Sequence, residues 1–318
     1  MTTSRLIEQF DSWQQRHRAP SFVVAVLLRY REDRGRDFGA LLSYYGFISL
    51  FPLLLVLVTV LGIVLRDNAD LRNRILESVY SKIPVVGVQL RHDTTSLSSS
   101  GWILVAGLIV SIWSGLAVLR QAERAFDLQW GAPTLGRTGF VGAQLRPLAT
   151  LGVMGVGLVV AVAATSVAAS LPGLPWEGRV VGGGFALALN MGVLTVAFRL
   201  LQRSAVPWRD LAVGGALGGG GLWVLQLVGA GYVGHVVVGA SEVYGGFAIV
   251  FGLLVWLALL ARVTLLASEV NVVRARVFWP RSLGGVQLTV GDRNAIAQTA
   301  DREALFVARF DYPRQKIS

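Results

Sequence analysis

The side chains that could do chemistry are few, and their spacing suits ion or ligand handling within a membrane better than bond making. Arg262 and Glu269 stand seven residues apart in an apolar stretch, about two helical turns, which puts both on one face of a helix. Ionisable groups at membrane depth are costly and are kept where a substrate or ion pathway needs them. Two readings of Arg262 stay open: direct substrate contact, or snorkelling and carboxylate pairing that holds the helices together. Asn190 is the strongly polar group near the middle of a second apolar stretch, and Gln226 lies in a third. Ser43, Tyr44, Tyr45 and Ser49 interrupt a fourth. If those helices face one another, Ser43, Tyr44, Asn190, Gln226, Arg262 and Glu269 line a common cleft.

Familiar catalytic sets are missing. The chain has no cysteine, which excludes disulfides, thiolate nucleophiles and cysteine metal sites. His17, His92 and His235 are scattered without a second histidine or a carboxylate at ligand spacing, so no metal site is expected. No Gly-x-Ser-x-Gly turn links a strand to a helix, and the acids form no tight cluster for Mg²⁺. The expectation is a protein that is not an enzyme and holds no cofactor. Gly214, Gly215, Gly218 and Gly219 belong to a glycine-rich run that lacks the Lys-Ser/Thr of a phosphate loop and sits in an apolar stretch, so they serve close helix packing.

The elements that must position these groups are membrane helices. Hydrophobic residues make up 53% of the 318 and charged residues 15%, against about 25% charged in soluble domains. The net charge of +10 follows from arginine-rich cytoplasmic loops rather than from nucleic-acid binding. No cleavable signal peptide is expected, because the first apolar run, Phe22 to Leu28, follows a charged stretch and has no small-residue cleavage site behind it.

Hydropathy predicts an all-α polytopic membrane protein with six spans, at about 39–65, 101–119, 148–170, 180–201, 211–232 and 246–270. The first, Gly39 to Leu65, carries no charge and reaches roughly 40 Å, enough for about 30 Å of hydrocarbon. Pro52 within it cannot donate to the carbonyl of Ile48, which leaves a moving hinge and a static kink as alternatives. Tyr44 and Tyr45 serve either the cleft or an interfacial aromatic belt.

Three further segments surround this 39–270 membrane domain. Residues 1–38 are basic, with Leu6, Phe10 and Trp13 at helical spacing. They fit an interfacial helix that sets Arg16, Arg18, Arg29, Arg31, Arg34 and Arg36 near anionic headgroups, or equally a helix packed on the bundle's own cytoplasmic face. Residues 66–100 predict an amphipathic helix on the outer face, and 271–318 a basic tail without a further span. Of the Lys and Arg residues flanking the spans, twenty-two fall on the side of the termini and six on the other, so both termini are expected in the cytoplasm.

Several motifs resemble the YihY/BrkB family of bacterial inner-membrane proteins. Ala40 to Leu54, with Tyr44-Tyr45 and Ser49-Leu50-Phe51-Pro52, looks like that family's opening helix. Pro207-Trp208, Val243-Tyr244-Gly245-Gly246, Trp256-Leu257 and Leu265 to Asn271 are similar to its later motifs. Ala267 and Ser268 stand where the family tends to have Gly-Ala, Ala258 takes a usual aromatic position, and Arg262 replaces an apolar residue. The resemblance covers about residues 20–275 and implies a six-helix protein of the bacterial cytoplasmic membrane. An old ribonuclease label attached to the family finds no catalytic constellation here. Resemblance and polar residues together lead to transport or flipping of an envelope lipid or other amphiphile as the expected function. A non-transporting scaffold for envelope integrity is the alternative. Expected partners are membrane lipids and either an envelope protein or a second copy of the chain, with no nucleic acid.

Overall fold

The computed structural model describes residues 2–64, 101–132, 145–157, 176–202, 206–232, 246–283 and 288–310. Every regular element among them is helical. In chain order these are α1 (Thr2–Arg16), α2 (Arg18–Glu32), α3 (Gly35–Val64), α4 (Gly101–Gln129), α5 (145–157), α6 (Trp176–Leu201), α7 (Trp208–Tyr232), α8 (Gly246–Ala275) and α9 (Val290–Phe310). The expected outer helix at 66–100, the second half of the third span and the loop 233–245 lie outside the described residues, as do His92 and His235.

Each break between helices has a local cause. His17 is extended (φ −114°, ψ 121°) between α1 and α2, and Pro20 sits in the first turn of α2, where a missing N–H is tolerated. The α2–α3 turn runs through Asp33 and Arg34, the latter left-handed at φ 55°. Gly35 then starts α3 against the ring of Tyr30, which a Cβ at this position would overlap. At the end of α4, Gly131 (φ 66°) lets Ala132 N–H reach Asp127 O at 2.8 Å, a Schellman closure. The end of α8 repeats that closure through Phe278 N–H and Val273 O at 3.1 Å, but with the β-branched Val277 at φ 54°. Side chains of that shape avoid this region, and Asn294 Nδ2 holds the strained turn by its donation to Val277 O at 3.0 Å.

α8 organises the packing. It touches α7, α3, α2 and α4, while α3 lies along α4 and α6 along α7. The glycine-rich stretch of α7 allows the close approach on both sides. A Cβ on Gly214 would overlap the Ala267 carbonyl, one on Gly215 the Thr195 hydroxyl, and one on Gly219 would stand 2.6 Å from the Met191 backbone.

The buried core gathers toward one end of the bundle, around Phe126, Phe198, Leu211, Leu265, Val272, Val273 and Phe278. Phe126 and Phe198 meet edge to face at 5.3 Å. Toward the other ends the helices leave large apolar side chains uncovered, among them Ile109, Trp113, Leu227, Val228, Phe247 and Phe251. Among the described residues three helices are long and apolar enough to cross a membrane, over Gly182–Leu201, Trp208–Gly229 and Val250–Ala275, yet at most 28% of each apolar window is buried. In water so much uncovered apolar surface would drive aggregation; lipid removes that penalty.

Some boundaries differ from expectation. α4 continues ten residues past the expected end of the second span at 119, because Ala122, Ala125 and Phe126 keep an apolar face on the core. The tail is also less plain than its composition suggests, since α9 folds back against the start of the chain.

Candidate functional site

A buried polar cluster forms where the end of α2, the end of α4 and the last turns of α8 converge under α9. Arg29 is its cation. Its Nε stands 2.7 Å from Asp33 Oδ2 and its Nη1 3.7 Å from Glu32 Oε2, while Nη2 donates to Gln298 Oε1 at 2.7 Å. The guanidinium also lies 5.1 Å from the centre of the Phe278 ring. Arg29 is 3% exposed, so at this residue the second of the two expectations, packing on the bundle, is the one met. The i,i+4 spacing of Arg29 and Asp33 was the available signal, and the packing of α2 on α8 decides between the two. Arg16, Arg18, Arg31, Arg34 and Arg36 remain exposed.

Burial pushes the Asp33 carboxyl up to about 6, against the pull of Arg29 and Arg302. Beside the pair, Glu269 is completely buried, and neither carboxylate oxygen receives a hydrogen bond. The Gln129 side chain is its neighbour; Gln129 Nε2 donates to Leu265 O at 3.3 Å, and Gln129 Oε1 is buried without a donor. Two residues beyond Glu269, Asn271 Oδ1 accepts from Gly214 N–H at 2.6 Å and ties α8 to α7.

A second cluster clasps the two ends of the chain. Arg281 Nε donates to Asp292 Oδ1 at 2.7 Å, and its Nη2 and Nη1 donate to the two oxygens of Glu32 at 2.5 and 3.3 Å. Thr289 and Asp292 form a reciprocal cap at the start of α9, with Thr289 N–H donating to Asp292 Oδ2 at 3.0 Å and Asp292 N–H donating to Thr289 Oγ1 at 3.2 Å. From α1, Gln14 Nε2 donates to Arg281 O at 2.7 Å, and Asp11 accepts from Leu283 N–H at 3.0 Å. α1 therefore buries Asp11 and Gln14 and turns Ile7, Phe10 and Trp13 outward, an inside-out pattern for a helix in water.

The residues singled out from sequence fall into separate groups. Asn190 Nδ2 donates to Ala186 O at 2.9 Å and its Oδ1 accepts from Gln226 Nε2 at 3.4 Å, which joins α6 to α7. Ser43 and Ser49 spend their hydroxyls on their own helix, at Ala40 O (2.8 Å) and Gly46 O (2.9 Å). Tyr44 is exposed and meets Tyr45 edge to face at 5.4 Å. α3 runs on through Pro52, whose side chain is outside those described. Arg262 is exposed and passes over Gly39 near Tyr30, whereas Glu269, two turns along, is covered by α2. Arg29, Asp33, Gln129, Gln298 and Arg281 were missed as site residues because their partners are distant in sequence or ordinary in spacing.

Helices this apolar, gathered around a small buried polar cluster, define an all-helical membrane protein. More particularly, the chain belongs to the Virulence factor BrkB family, whose model matches residues 26–283. It is 24% identical over 274 residues to the inner membrane protein YhjD of Escherichia coli (strain K12), covering 80% of this chain and 81% of that one. A UPF0761 membrane protein of Stenotrophomonas maltophilia (strain K279a) is 27% identical over 285 residues, 83% of this chain and 64% of that longer relative. A protein of Bacillus subtilis (strain 168) named putative ribonuclease-like protein YfkH matches 113 residues at 25% identity, 34% of this chain and 41% of that one. No solved structure matches. The family match takes in Arg29, Asp33, Gln129, Glu269 and Arg281 but stops short of Asp11, Gln14, Asp292 and Gln298.

Proposed function

We propose that this chain crosses the bacterial cytoplasmic membrane six times with both termini inside, and moves an envelope lipid or other amphiphile without catalysing a reaction. The observation that carries this is a wholly buried carboxylate, Glu269, on a long apolar helix that also carries Arg262. A charge of that kind is expensive and is retained where it handles a ligand or an ion. The surplus of Lys and Arg on the side of the termini supports the orientation and sets the polar cluster at the cytoplasmic ends of the helices. The test is reconstitution of the purified chain with labelled phospholipids. Transfer between leaflets is expected; no transfer in either direction, with or without a proton gradient, overturns the reading. Because the chain lacks cysteine, single cysteines placed in 233–245 report topology without background, and labelling from the cytoplasmic side would overturn the orientation.

A scaffold that recruits an envelope partner is the second reading. The Arg281 clasp favours it, since a built cytoplasmic face formed from both chain ends suits protein recruitment better than passage of a lipid.

A further inference from the structure

Glu269 has three properties that together specify a ligand. It is completely buried, both of its oxygens lack a donor, and the positive charge that reaches it is already engaged. Arg29 acts on Glu269 but contacts Asp33, Glu32 and Gln298 directly. Gln129 is the polar side chain at the carboxylate; its nitrogen also reaches Leu265 O at 3.3 Å, and its Oε1 is buried without a donor. Protonation of the carboxylate removes the uncompensated buried charge and leaves an O–H that a neighbouring amide can accept.

We propose that Glu269 is a proton-binding site, occupied in the conformation described. Binding takes one proton from water onto a Glu269 oxygen and cancels one negative charge; release returns it to water, and no electron moves.

The groups around the site agree with a proton rather than a metal ion. α2 and its turn bring Arg29, Tyr30, Glu32 and Asp33, and α9 adds Gln298 and Arg302 behind Asp33. α4 brings Gln129, with Asp127 and Glu123 buried further along it. α3 contributes Arg36, which acts on Tyr30, and α8 itself contributes Arg262. α7 meets this part of α8 through the backbone of Gly214 and Gly218. A metal ion would share the site with a fixed guanidinium and needs several oxygens, and no group of three metal-binding side chains occurs among the described residues. A proton needs one acceptor.

Use of this proton to drive transport rests on the transport reading; occupancy of the site does not. The test has two parts, both on the full chain in lipid nanodiscs or liposomes. Infrared difference spectra of wild type against Glu269→Gln at neutral pH are expected to show a protonated-carboxyl band that the variant loses and Asp33→Asn retains. Glu269→Gln, which mimics the protonated form, is expected to keep wild-type thermal stability. A missing band, or a variant markedly less stable than wild type, overturns the proposal. A band that disappears on replacing choline with sodium at constant pH and ionic strength also overturns it, in favour of a sodium site. In the second part, a pH gradient is expected to bias phospholipid transfer by wild type but not by Glu269→Gln. Absence of all transfer with the band intact refutes the transport reading alone; equal gradient dependence in both proteins refutes coupling at Glu269.

Discussion

Gly214 N–H and Asn271 Oδ1 meet at 2.6 Å and bring two membrane helices within backbone reach. A Cβ on Gly214 would overlap both the Ala267 carbonyl and the Asn271 side chain. Gly214→Ala must therefore push α7 off α8 and is expected to cost about 1–3 kcal/mol, as overpacking does. Asn271→Leu removes a buried acceptor and should cost about the same. Thermal unfolding in detergent measures both.

Arg29 and Asp33 form a buried pair, so removing one partner leaves the other uncompensated. Arg29→Met alone is expected to destabilise by about 3–5 kcal/mol, and adding Asp33→Leu should recover most of the loss. A double-mutant cycle in chemical denaturant gives the coupling.

The clasp should weaken in acid. Burial alone raises the Asp11 and Asp292 carboxyls, but hydrogen bonds outweigh it: Leu283, Gln14 and Ser282 at Asp11, and Thr289, Arg281 and Ser282 at Asp292. Both end below their ordinary 3.8. Carboxyls shifted down contribute stability in full above that value and lose it as pH falls through the lower, folded one. Asp33 has the opposite sign: its contribution is greatest below 3.8 and declines as pH rises through about 6. Protection factors of the α9 amides, referred to the unstructured exchange rate at each pH, should therefore fall below about pH 4 and, in Arg281→Ala, at neutral pH as well.

Ile7, Phe10 and Trp13 form an outward apolar face on α1, with Arg16 and Arg18 exposed beyond it. This pattern suits the lipid interface. A spin label on Trp13→Cys should report headgroup depth in liposomes containing anionic lipid, and Phe10→Ser with Trp13→Ser should make α1 more accessible to protease without affecting α8.

The all-helical class, the apolar character of the spans and the family were legible along the chain because each rests on composition and short-range spacing, whereas α9, in what read as a plain basic tail, was not. The small residues of α7 were legible too, since a glycine run in an apolar stretch has few physical uses. The partition of the polar residues was not. Asn190 pairs with Gln226, Ser43 and Ser49 turn to their own backbone, and Glu269 joins the Arg29 cluster, although all had the same promise as cleft residues. Spacing states which residues share a face of one helix, but not which other helix covers it.

Arg262 and Glu269 carry that difference most clearly. Sequence by itself determined that an apolar helix holds two charges on one face. Only the tertiary structure decided that Arg262 stays exposed over Gly39 while α2 seals Glu269 from solvent. Burial is a property of the neighbours, and these neighbours arrive from residues more than two hundred positions away.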